Sequence, residues 1–170
     1  IDTVDIVYTH NTIGAERNIS SGTLSVDDLN LIVEVFEKAA ASGKLRYWGF
    51  NGLGETDSIK EALVKYSPSG IHTCYNMLNP TSGYHLEKTF PYQNYEELMK
   101  LASGEGIGTV GIRILAGGAL SGSLKRHPIA QQNVAPIATS STFEEDVSRT
   151  SAFEFLAKEG FVDNLVEASI

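Results

Sequence analysis

Two stretches of this sequence place reactive side chains where a strand meets a loop. In VDIVYTHN, Val4 to Asn11, a run of β-branched, aliphatic and aromatic residues ends at His10. Such residues suit a pleated, buried surface, and the Gly-, Ser- and Asn-rich segment from Thr12 to Gly22 reads as loop. His10 therefore stands at a strand end, which in barrels of alternating strands and helices is the end from which catalytic side chains project. It has two readings: an imidazole that hydrogen-bonds a reacting group, or a histidine satisfied by a backbone carbonyl. The second stretch is TVGIRILAGGALSG, where Arg113 lies in an apolar run that leads into Gly117, Gly118 and Gly122. A buried guanidinium without a partner is expensive, so Arg113 meets either a phosphate or an acidic side chain. The glycines let backbone N–H groups approach an anion closely.

The elements that would position these residues follow from periodicity and punctuation. SVDDLNLIVEVFEKAAASGK places Leu29, Ile32, Val33 and Phe36 on one helical face, with Ser25 and Asp28 as a start signal and Gly43 as a stop. Leu45 to Phe50 reads as a strand that runs into a glycine-broken loop. Thr56 caps a helix through Tyr66, which Pro68 and Gly70 end. Ile71 to Leu78 is a third strand, and a polar loop then leads to a helix whose start signal is Asn94 with Glu97. Thr109 to Leu115 is a fourth strand. Beyond the irregular, polar stretch from Ser123 to Ser140, TFEEDVSRTSAFEFLAKEG reads as a helix capped by Thr142 and stopped at Gly160, and NLVEASI opens another.

Strands alternating with helices indicate parallel βα units, hence an α/β fold. No strand is followed by the G-x-G-x-x-G turn of a dinucleotide-binding sheet, which favours a (β/α)8 barrel. Four strands make only part of one, since a barrel needs about eight strands in roughly 250 residues.

Composition excludes several functions. With 13 Lys and Arg against 21 Asp and Glu, the formal charge of -8 repels polyanions, so nucleic acid is not an expected partner. No apolar run approaches the roughly twenty residues of a membrane helix, and no membrane partner is expected. The lone Cys74 has no disulfide partner, which points to a reducing, cytoplasmic setting. The four histidines show no helical i, i+4 pairing, so no metal site is implied. No G-x-S-x-G turn supports a serine hydrolase. The chain opens on a strand approach without an initiator methionine and reads as an internal piece of something longer, organised as a single partial domain over 1–170.

Four separated motifs resemble one family. VDIVYTH resembles the fourth barrel strand of the aldo-keto reductases with its catalytic histidine, and SGKLRYWGFNG the KxRxxGxSN segment around the fifth. CYNMLNP resembles the sixth strand, and EGIGTVGIRILAGGALSG the seventh with its loop. The resemblance covers nearly the whole chain in the right order. It implies a (β/α)8 barrel that reduces an aldehyde, ketone or sugar carbonyl with NADPH, while leaving NAD open because the selecting residues follow strand eight.

By the same resemblance, His10 hydrogen-bonds the substrate carbonyl, and Asn51, His72, Arg113, Leu115 and Gly117 contact the cofactor. Asn51 and Gly52 stand where the family has Ser-Asn, His72 where it has glutamine, and Ile112 where many members have the aromatic residue that stacks on nicotinamide. The family's catalytic Asp, Tyr and Lys precede the fourth strand and are expected before Ile1. Tyr8 and Tyr47 read as lying inside strands and do not fill that vacancy. A non-catalytic nucleotide-binding relative and a truncated product without activity are the competing readings.

Overall fold

The computed structural model describes residues 2–87 and 89–170. Four strands form one sheet in the order β1 (Val4–Tyr8), β4 (Leu45–Asn51), β5 (Gly70–Cys74) and β6 (Gly108–Ile112). The pairs β1–β4 and β4–β5 are parallel. Gly108 N donates to Ser69 O at one end of the β5–β6 pair and Tyr75 N to Ile112 O at the other, so this pair also runs parallel. The sheet is the expected partial α/β barrel, with its strands adjacent and in sequential order.

The chain divides into two compact units, Ile1–Thr73 with Tyr95–Val110, and Cys74–Asn94 with Gly111–Ile170. In the first unit, α1 (Leu29–Ala41) and α2 (Thr56–Tyr66) follow β-strands and cover one sheet face. The start signal of α1 forms as read: Ser25 and Asp28 exchange hydrogen bonds, with Ser25 N donating to Asp28 Oδ2 at 2.9 Å and Asp28 N to Ser25 Oγ at 3.2 Å. Gly43 (φ 72°) ends the helix. Trp48 lies 6.0 Å from Phe36 of α1 and 5.5 Å from Phe50, which meets Tyr66 of α2 edge-on at 6.0 Å. Leu29, Ile59, Ala62 and Leu63 complete this buried layer.

Residues of the opposite face remain open. Val4, Ile6 and Tyr47 are 45%, 40% and 54% exposed, and register places Val4 beside Leu45 and Ile6 beside Tyr47. This is the face that faces inward in a closed barrel.

The second unit is held by Leu78, Ala116, Ala119 and Leu120, packed with Met77, Phe143, Val147 and Phe153. Arg149 ties its helix α4 (Phe143–Thr150) down, donating to Leu78 O at 2.9 Å and to Thr139 O while its guanidinium stacks 4.3 Å from the Tyr92 ring.

Several boundaries differ from the sequence reading, each for a local reason. The Thr12 to Gly22 segment is not all loop, because β2 (Thr12–Gly14) pairs in parallel with β3 (Thr23–Ser25). A Thr12–Thr23 hydroxyl contact of 2.8 Å supports that ribbon, and Ile13 is bonded on both sides, to Leu53 O and Glu55 N. The third strand stops at Cys74 rather than Leu78. Asn76 Oδ1 accepts from both Leu78 N and Asn79 N at 3.0 Å and so closes a turn there. The fourth strand stops at Ile112 rather than Leu115, because Arg113 adopts φ 59°. Helix α2 has Glu55, not Thr56, at its N-cap. The next helix, α3 (Leu98–Gly104), starts after Glu96 and Glu97 at positive φ rather than at Asn94. Thr142 caps α4 as expected, accepting from Glu145 N, but the long helix breaks into α4, a 3-10 turn and α5 (Phe155–Lys158) before Gly160.

Candidate functional site

In the first unit the candidate residues gather around the carboxyl ends of β1, β4 and β5. His10 lies two residues beyond β1 with its side chain exposed. Its backbone is braced: Asn51 Nδ2 donates to His10 O at 3.0 Å, and Asn51 N donates to Thr9 Oγ1 at 3.1 Å. Asn51 is the last residue of β4 and is buried. Its carboxamide nitrogen therefore fixes the strand end that carries His10.

Gly52 is a glycine for a backbone reason. It donates to His72 O at 2.9 Å, and a Cβ there would lie 2.2 Å from that same oxygen. A serine or asparagine side chain cannot be added at Gly52 without parting the strands. The family's Ser-Asn pair thus has one usable side chain here, that of Asn51.

His72 pairs in register with Asn51 and stands half-buried in β5. Its imidazole stacks on Tyr8, with ring centroids 3.9 Å apart and planes inclined by 25°. Burial pushes its pKa below the ordinary 6.5. A histidine with a depressed folded-state pKa contributes stability that is full above its ordinary value and is lost as pH falls below it. Urea midpoints at pH 7.5 and 5.5 should therefore fall further for the wild type than for His72→Phe, and equal falls would sink this assignment. Tyr8 is the last residue of β1, not an interior one, and burial raises its pKa.

The remaining candidates belong to the second unit. Arg113 has φ 59°, and its carbonyl accepts from Asn76 Nδ2 at 3.0 Å and from Ala116 N at 2.7 Å. A left-handed conformation at a non-glycine residue costs on the order of 1 to 3 kcal/mol and collects at ligand sites. Leu115 precedes a 3-10 turn, Ala116–Ser121, in which Gly117 (φ 67°) and Gly118 (φ 103°) break the helical path. The Arg113 guanidinium lies 3.4 Å from where a Gly117 Cβ would stand. Among the described residues neither Arg113 nor Arg126 forms an ion pair.

Arg126 was not singled out from the sequence. Its guanidinium stacks 4.1 Å from the Phe143 ring and passes 3.7 Å from the Cβ position of Gly118. One nitrogen, Nη2, is buried without a hydrogen-bond partner. Arg126 lines a cavity of about 480 Å3 with Asn133, Val134, Thr142 and Phe143. The adjacent Lys125–Arg126 pair, in an otherwise acidic chain and just beyond a glycine-rich loop, was the available signal.

Cys74 is not a nucleophile. Burial pushes its thiol up to about 11, and it donates weakly to Ile137 O at 3.6 Å. Among the described residues no three His, Cys, Asp or Glu side chains gather in a metal-binding group, and no helix is long and apolar enough to cross a membrane.

The family model for the Aldo/keto reductase family matches residues 1–166. The chain belongs to the aldo/keto reductase family. Among solved structures, the holo form of aldo-keto reductase AKR11C1 from Bacillus halodurans is 19% identical, with 90% of this chain and 54% of that one covered at a TM-score of 0.49. The apo form of the same protein gives 18% identity, 90% and 57% coverage and a TM-score of 0.47. An aldo-keto reductase from Klebsiella pneumoniae in complex with NADPH gives 16%, 90%, 54% and 0.46. The chain thus spans about half the length of these reductases. No curated protein matches it significantly.

Proposed function

We propose that this chain supplies the histidine and the phosphate loop of an NADPH-dependent reductase that converts an aldehyde, ketone or sugar carbonyl to its alcohol. The observation that carries the reading is the anion cradle of the second unit. Two glycines at positive φ, the unpaired Arg113 and a buried Arg126 nitrogen without a partner face one loop. An orphaned guanidinium N–H is costly unless a ligand satisfies it, and a pyrophosphate would do so with charge-assisted bonds. These residues therefore fit the dinucleotide that the family implies, with Leu115 and Gly117 beside it.

NADPH, when bound, supplies the hydride. The chain's own contribution is orientation and charge stabilisation. His10, on a strand end fixed by Asn51, presents an imidazole N–H that can donate to the substrate oxygen. That bond strengthens as negative charge develops on the oxygen, so it favours the transition state over the ground state. The proton donor would come from the Asp, Tyr and Lys that the family carries before this strand. The chain alone would then be inactive, and a cytoplasmic setting accords with the reduced Cys74.

Direct titration with NADPH tests the cradle. Arg113→Ala and Arg126→Ala should each weaken binding by about 1.5 to 3 kcal/mol, roughly 10- to 150-fold. Affinity unchanged in both variants would leave the glycine loop without an anion and would sink the reading. A second reading, a nucleotide-binding regulator without turnover, is favoured by Gly52 and Ile112, which supply neither of the family's usual nicotinamide contacts at those positions. Binding of NADPH by a full-length protein that reduces no carbonyl in a broad aldehyde panel would select it.

A further inference from the structure

On the inner face of the first unit, three glycines stand side by side. Gly49 pairs with Gly70, and the bond from Gly108 N to Ser69 O places Gly108 beside Gly70. Side chains at these positions would point to the same face as Tyr8, which pairs with Gly49. The Tyr8 ring leans into the space that Gly49 and Gly70 leave. A Cβ on Gly49 would stand 2.5 Å from Tyr8 Cε1, and one on Gly70 would stand 2.6 Å from Tyr8 Oη.

This shelf sets where His72 stands. Along β5, His72 is two residues beyond Gly70 toward the carboxyl end, on the same face. Tyr8 therefore supports the imidazole from below, at 3.9 Å, and the opposite imidazole face turns toward the carboxyl ends of the strands. In a barrel of parallel strands this is the end where ligands bind. The neighbours in register are Asn51 on β4 and, from the Gly108 bond, Val110 on β6; neither is charged. Tyr8 is the titratable group in contact with the ring. Burial lowers the imidazole pKa, which favours the neutral ring.

We propose that Tyr8 is a positioning residue that, seated on the Gly49–Gly70 shelf, holds His72 so that its free face stacks against a planar ligand ring. Under the reductase reading, on which this ligand rests, the ring is the nicotinamide. His72 then acts through its ring face rather than as a replacement for a carboxamide, and it supplies the stacking that Ile112 cannot.

Four variants and two readouts test this: NADPH affinity, and the NMR titration of the His72 ring, which needs no ligand. Tyr8→Phe keeps the ring and should leave both readouts as in the wild type, since the contact with His72 is a stack of the two rings. Tyr8→Leu removes the support; it should move the His72 titration to higher pH and weaken NADPH binding about fivefold. His72→Phe keeps a stacking face and should bind within about twofold of wild type, whereas His72→Gln should lose about fivefold. Tight binding by His72→Gln together with weak binding by His72→Phe would overturn the stacking role. Failure of the wild-type protein to bind NADPH would count against both the reductase reading and nicotinamide as the stacked ring. The Tyr8→Leu titration then decides the positioning role alone, and an unmoved His72 overturns it.

Discussion

His10→Ala in the full-length protein should lower carbonyl turnover by about one to three orders of magnitude while cofactor affinity changes little. This is the range lost when one positioned donor to a developing oxyanion is removed. The substitution suits the question because the imidazole and the backbone of His10 have separate jobs. The carbonyl of His10 accepts from Asn51 Nδ2, and alanine keeps that carbonyl in place. The side chain is exposed, so its loss should move the urea midpoint within the roughly 0.5 kcal/mol typical of surface changes. Asn51→Ala provides the complementary variant. It leaves the imidazole but removes the bond that fixes the strand end, so it should lose about 1 kcal/mol of stability as well as turnover. Steady-state kinetics with NADPH and a panel of aldehydes, paired with urea melts, separate the two. Full turnover in folded His10→Ala would end the assigned role.

The parts of this fold that could be read from sequence are those written in local patterns. The apolar runs Val4 to Tyr8 and Leu45 to Phe50 became strands, and the Ser25 to Asp28 and Thr142 to Glu145 start signals became helix starts, because each depends on residues within one turn of the chain. Side-chain turns and long-range pairing overrode pattern elsewhere. Tyr75 to Leu78 is rich in apolar residues like a strand, yet the Asn76 carboxamide oxygen accepts from the Leu78 and Asn79 backbone N–H groups and turns the chain. The β2–β3 ribbon was hidden in polar residues because its support comes from Leu53 and Glu55, distant in sequence.

The site divides in the same way. His10 was legible as a residue type at a strand end, and Arg113 as an arginine in an apolar run. The roles of Gly52 and of the glycine shelf were not, since a close approach between strands depends on a register that no single strand encodes. Arg126 lacked a motif, and its significance lies in an unpaired buried nitrogen that only coordinates reveal.

Gly49→Ala should destabilise the protein by about 3 kcal/mol or more, although it adds a single methyl group. The new Cβ would stand 2.2 Å from Gly70 O and 2.5 Å from Tyr8 Cε1. The ring could swing aside, at the expense of its stack on His72. The carbonyl cannot, because it belongs to the strand paired with β4, and β4 and β5 would have to part along a ladder that also holds Gly52 N to His72 O. Gly104→Ala is the matching control. That glycine ends α3 with nothing within 4 Å of its Cβ position, so alanine should stabilise by about 0.5 to 1 kcal/mol through helix propensity and a less flexible unfolded chain. The same chemical change is thus expected to act with opposite sign at two sites, and urea midpoints at one pH measure both. A Gly49→Ala protein that melts with the wild type and still stacks Tyr8 on His72 would show that the strands separate freely, and the close approach would then not explain the glycines.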